Sequence, residues 1–225
     1  MDLTKWYIIL VMNAEFTAAY PKLKNPELAK QVRRENLYAN AGLFNTEEVD
    51  RAFKIVEYAQ KIAPAVCGLA ENQGKTGFVM VITKKGGNSP TLTILVGNVT
   101  DPDDLYAPDG KLGKYCIFAN LKAQVLKDHP EFISSSQNSS LPKNERVYSP
   151  ANQEIPGGAI AFGDLIISVS AFINPNMDTA TTLAIAAGSG VTNIDGAEKL
   201  AEDSRVNCKE FMLNEDEIFV IPILH

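Results

Sequence analysis

The sequence predicts an α/β fold of the α+β kind: a single antiparallel sheet of about five strands with helices packed on it. Three observations carry this expectation. A helix-periodic stretch runs from Asn45 to Pro64, two β-branched runs at 78–83 and 92–96 are separated by a glycine-rich turn, and two further apolar runs flank Gly163-Asp164. Connections within each strand pair are short, which favours antiparallel neighbours. Hydrophobic residues make up 45% and charged residues 21% of the 225 positions, so the chain can bury a sizeable core and is not disordered by composition.

Residues 1–45 read as an N-terminal extension and 46–225 as the α+β domain, the two forming one compact unit, because no linker or fixed-period repeat divides the chain. Lys5 precedes an apolar run at 6–12, with Ala18 and Ala19 beyond it, which loosely mimics a secretory signal. The run is far shorter than the roughly 20 residues that span a bilayer, so a strand or buried helix is expected there. The cytoplasm is the expected compartment, and this signal-like segment is the feature that points to export. A helix is predicted from Asn25, which can cap, through Pro26 in its first turn and Leu28, Val32 and Leu37 on one face, to Gly42. Arg33 and Arg34 lie inside that pattern and read as its solvated face.

Asn45 and Glu48 approximate a capping box, and Val49, Ala52, Phe53, Val56, Ala59 and Ala63 then recur at helical spacing until Pro64. The strand pair follows, joined across Gly86-Gly87-Asn88-Ser89-Pro90. The acidic loop from Asp101 to Gly110 lacks the ligand spacing of an EF-hand and reads as a solvated turn. A helix over 115–128 places Phe118, Leu121 and Val125 on one face, widened by Cys116, Ala119, Ala123 and Leu126, and Pro130 ends it. Residues 134–153, rich in Ser, Asn, Gln and Pro, read as an exposed, flexible loop. Runs at 158–162 and 165–172 form a hairpin about Gly163-Asp164. Asp178 begins a helix with small side chains at Ala180, Ala184 and Ala187, ended by Gly188 and Gly190, and 217–221 reads as a final edge strand before Pro222.

The net charge of −6 and pI near 5.0 disfavour nucleic acid and anionic membrane as partners. Cys67, Cys116 and Cys208 are widely spaced and odd in number, which fits neither a metal pair nor a disulfide framework and points to a reducing compartment. The two histidines, His129 and His225, leave little for a histidine-rich metal site.

Taken in order, several segments resemble the GlcG/HbpS family, over roughly residues 46–190. The amphipathic helix from 46 to 63 precedes Val81-Ile-Thr-Lys-Lys-Gly86, where the family has a strand ending Val-Val-Asp-x-x-Gly. Ala119-x-x-Lys122-Ala123 lies in the next helix. Pro156-Gly157-Gly158-Ala-Ile and Gly163-Asp-Leu-Ile166 match the family's glycine-rich hairpin, and Asp178 to Gly188 matches a helix written Asp-x-x-x-Ala-x-x-Ala-Gly. Thr83 stands where the family has its strand-end aspartate, the Arg-Met-Asp-Gly-Ala stretch has no counterpart, and residues 168–172 replace Gly-Val-Ser-Gly. The resemblance implies a sheet-and-helix domain that assembles as a homo-oligomer, with members that bind haem or related tetrapyrroles or serve small-molecule metabolism.

Candidate site residues follow from both lines of reading. Gly157 and Gly158 allow close approach of a ligand or of another backbone, although a sharp entry to the hairpin is the simpler explanation. Lys122, on an otherwise apolar helix, can meet an anionic ligand or snorkel to water. Thr83 and the polar 83–88 turn form a further candidate. His129 is the interior histidine available to haem iron, beside the Tyr, Met and Cys residues that can also serve as axial ligands, but at a helix end its contact with the terminal carbonyls is a sufficient role. No Gly-x-Ser-x-Gly elbow or catalytic triad is assembled, and Gly188-Ser189-Gly190 has the wrong spacing. The carboxylate pairs Asp103-Asp104 and Glu47-Glu48 fit turns and helix starts, and the sequons at Asn98 and Asn138 matter only on export. The expected function is a small-molecule- or haem-binding homo-oligomer without catalytic machinery. One alternative is an enzyme or accessory factor acting on a small metabolite through Lys122 and the 83–88 turn. The other is an interaction module whose small-residue helix, 178–188, packs on a copy of itself.

Overall fold

The computed structural model describes residues 8–12, 15–16, 46–69, 75, 77–86, 91–97, 111–172, 174–204, 212–213 and 219–220. The expected helix at 25–42, the acidic loop at 101–110, Cys208, His225 and the sequon at 98–100 lie outside these residues.

The β-branched runs pair as their turn chemistry demands. Strands β1 (Ile8–Met12), β2 (Glu15–Phe16), β3 (Gly77–Lys84), β4 (Thr91–Gly97), β5 (Ala159–Phe162) and β6 (Leu165–Ser170) form an antiparallel sheet in the order β2-β1-β4-β3-β6-β5. Four of them, β4-β3-β6-β5, make the body of the sheet, and β1 and β2 extend it past β4 to six where the sequence predicts about five. The predicted final strand does not join this sheet. Phe219–Val220 (β8) instead pairs with Met212–Leu213 (β7) in a separate two-stranded ribbon, the local partner being within reach of a short connection. Gly163-Asp164 closes the β5–β6 hairpin, with Gly163 at φ +64° and Phe162 opposite Leu165.

Both faces of the sheet are covered, which explains why β3 reads as an unbroken apolar run instead of an alternating one. Phe78, Met80 and Ile82 point to one face, where helices α1 (Thr46–Cys67), α3 (Pro175–Gly188) and α4 (Ile194–Asp203) pack. Val79 and Val81 point to the other, against α2 (Lys111–Asp128). The result is a three-layer α+β arrangement. No helix among the described residues is long and apolar enough to cross a membrane.

Three local expectations are corrected. The first helix runs through Pro64 to Cys67, because buried Ala63 and Val66 hold the last turn on the core while proline removes only one backbone donor. The helix assigned to Asp178 begins at Pro175 under an Asn174 cap, whose side chain accepts from the Asn176 amide, and Asp178 turns inward. Residues 134–153 are exposed only in part: 139–140, 142–145 and 150–153 face solvent, while other positions fold onto the protein. Ser134 and Gln137 form a capping box on a 3₁₀ turn, Ser135–Ser140, and Ser134, Ser135, Asn138 and Ser149 are buried. Asn138 donates to the Val147 carbonyl at 3.0 Å and to the Ile155 carbonyl at 3.3 Å, and accepts from the Val147 amide at 2.9 Å. Short polar side chains there supply the hydrogen bonds that an irregular backbone lacks.

Candidate functional site

Two polar groupings stand out, one sealed and one open. The sealed one joins Lys122 of α2 to Asp178 of α3, helices that lie on opposite faces of the sheet. Lys122 Nζ donates to Asp178 Oδ2 at 2.6 Å and to the Val169 carbonyl at 3.0 Å. Asp178 Oδ1 accepts from the amides of Ala171 at 3.2 Å and Phe172 at 3.1 Å. The two residues are 1% and 3% exposed, so Lys122 does not snorkel: its amine ends inside the protein. Burial pushes the Asp178 carboxyl above the usual carboxylate range, and the Lys122 charge and the two amides oppose that shift without cancelling it.

Gly158 makes the pairing sterically possible. At φ +131°, it lies where an added Cβ would meet Lys122 Nζ at 2.6 Å, the Val169 carbonyl at 2.8 Å and Asp178 Cβ at 2.9 Å. Thr182 ties the same turn to α3 by donating to the Gly158 carbonyl at 2.8 Å. Gly157 faces Thr179 and Ser136 at looser distances. Lys122 and Gly158, which the sequence nominates separately, therefore meet around Asp178, which it does not nominate, whereas Gly157 packs beside them without reaching it. The aspartate carried a signal: it heads the helix segment quoted above for its family resemblance, yet position alone reads as a helix start.

The open grouping is a cleft of about 310 Å³ at one end of the sheet. Glu47, Glu48, Arg51 and Ala52 line it from the first turns of α1, Ile82 and Lys84 from the end of β3, and Asp164 and Leu165 from the β5–β6 turn. The register that sets Lys84 beside Leu165 brings turn and strand together. Lys84 and Glu48 form an ion pair along the wall. Arg51, Glu47 and Asp164 are exposed and their side chains make no hydrogen bond or ion pair among the described residues.

The remaining nominated residues lie apart from these groupings. Thr83 is buried on β3, where it accepts a hydrogen bond from Thr91 Oγ1 at 3.3 Å. His129 follows α2, stacks on Phe132 with centroids 4.9 Å apart, and places Nδ1 3.5 Å from Glu131. No group of three His, Cys, Asp or Glu side chains able to hold a metal occurs among the described residues. No family model, curated protein or solved structure matches the chain.

Proposed function

We propose that the chain is a small-molecule-binding protein of the GlcG/HbpS type, whose ligand occupies the cleft between the start of α1 and the β5–β6 turn. The observation that carries this reading is the cleft's lining: Glu47, Arg51 and Asp164, without side-chain partners among the described residues, stand over an apolar floor of Ala52, Ile82 and Leu165. Ligand sites combine an apolar lining with a few convergent polar groups, and 310 Å³ lies at the small end of their usual range of roughly 300–1,000 Å³. That size favours a small metabolite over a macrocycle. In this reading the Lys122–Asp178–Gly158 centre is the scaffold that fixes the hairpin from which Asp164 projects.

A thermal-shift and native mass-spectrometry screen of the full chain against small polar metabolites tests the reading. A bound compound should protect the amides of 47–52 and 164–166 in hydrogen exchange. A screen with no saturable binder, or protection elsewhere, removes the cleft from consideration. The haem version has its own test in a haemin titration, where a saturable Soret change lost in His129→Ala supports it and an unchanged spectrum rejects it. Homo-oligomer formation belongs to the same proposal, and light scattering on the eluted protein reads it directly.

A further inference from the structure

We propose that the cleft takes a zwitterion, a free α-amino acid with a short apolar side chain; this rests on the cleft being the binding site. The cleft has two walls, and the α1 wall carries Glu47 as well as Arg51. Arg51 projects from α1, which packs over β3 and β4, and Asp164 projects from the β5–β6 turn. Between them the floor is set by β3 and β6, paired at Lys84 and Leu165.

The lining holds five charged residues, of which Lys84 and Glu48 neutralise each other. What remains is one guanidinium and two carboxylates, Arg51 against Glu47 and Asp164. Glu47 and Arg51 stand four residues apart on one helix face, yet form no ion pair. With no partner among the described residues, the Arg51 guanidinium presents a planar fork that fits a carboxylate in two parallel hydrogen bonds. The carboxylates suit an ammonium group. A ligand carrying both charges can set its carboxylate on Arg51 and its ammonium on Glu47 or Asp164, whereas a dicarboxylate would meet Glu47 and Asp164 with like charge. Ala52, Ile82 and Leu165 leave an apolar surface for a short side chain, and the volume sets its upper size.

Calorimetric titration of the full chain with alanine and valine, set against N-acetylalanine, alanine methyl ester and succinate, tests the assignment. Saturable heat is expected for the free amino acids and at least a tenfold loss for each blocked or doubly acidic probe. Arg51→Met and Asp164→Asn should each weaken the amino acids tenfold or more; both positions are exposed, and melting curves confirm that the variants fold. If succinate binds instead and Arg51→Met abolishes it, or the ester binds instead and Asp164→Asn abolishes it, the zwitterion is wrong and the cleft still binds. Amino-acid affinity unchanged in both variants overturns the assignment to this cleft, and no heat from any probe overturns the zwitterion, leaving the cleft to the wider screen.

Discussion

Lys122 and Asp178 form an ion pair that joins helices from opposite faces of the sheet, α2 and α3, beside the start of β5. A pair this buried costs desolvation on both sides, and its geometry offsets that only while both partners remain. Lys122→Met or Asp178→Ala alone leaves one buried polar group without its counter-ion. Each should destabilise the fold by about 3–5 kcal/mol, read from urea denaturation. The double variant Lys122→Met/Asp178→Leu should recover much of that loss, because no uncompensated charge remains. Equal destabilisation in single and double variants would show that the site contributes through packing alone.

Gly158→Ala tests the same centre from the backbone side. The new methyl would lie within 3 Å of Lys122 Nζ, the Val169 carbonyl and Asp178 Cβ, and the residue would keep φ +131°. Strain at such a position costs about 1–3 kcal/mol before any displacement of the ion pair. Gly163→Ala also holds a positive φ but has nothing within 4 Å, so it should cost only about 1 kcal/mol. A smaller loss at 158 than at 163, measured by chemical denaturation, would contradict the close packing.

Much of the fold was legible because its signals are local. Gly163-Asp164 between apolar runs specifies a hairpin, and the spacing of Ala52, Val56, Ala59 and Ala63 specifies a buried helix face; both appear as expected. The polar segment 134–153 is exposed over much of its length as expected, but the burial of Ser134, Ser135, Asn138 and Ser149 is not legible, because composition cannot distinguish a serine facing water from one closing a backbone bond. Ser135 Oγ accepts from the Ala159 amide and donates to the Pro156 carbonyl across more than twenty residues. The helix α4 was missed although Asn193 caps it, its side chain accepting from Gly196 at 2.8 Å. A glycine in the first turn hides that start. The cleft depends on β3–β6 register and on the packing of α1, relationships that no local pattern encodes.

Tyr58 and Gly188 make a contrasting pair. The Tyr58 ring lies over Gly188 so closely that any Cβ there would overlap it, at 1.8 Å from Cζ. Gly188→Ala must therefore displace the Tyr58 ring or shift α1 against α3, and a loss of about 1–3 kcal/mol is expected. The Tyr58 hydroxyl is buried and has no partner among the described residues, so Tyr58→Phe removes an unsatisfied group and should be neutral or stabilising. Thermal melts of the two variants should move in different directions, and a marked loss from Tyr58→Phe would mean the hydroxyl has a partner in solution.

Alkaline pH should weaken the fold through Cys116. Burial pushes this thiol from 9.0 up to about 12, and no neighbouring charge relieves it. A folded-state value above the unfolded one means stability is fully present below pH 9 and is lost as pH rises toward 12, because the unfolded chain releases the proton first. The slope from this one group is on the order of 1 kcal/mol per pH unit across that window. Cys67, raised to about 11 by burial with Lys75 opposing, acts in the same direction but is partly exposed and contributes less. Comparing Cys116→Ala with the parent isolates the effect, since lysine and tyrosine titration are common to both. Stability measured by urea denaturation from pH 8 to 11 should fall less steeply in the variant, and the native parent should resist thiol reagents at Cys116 throughout. Parallel slopes would mean that Cys116 is reached by water in the folded chain, placing the opening at the α2 face of the sheet.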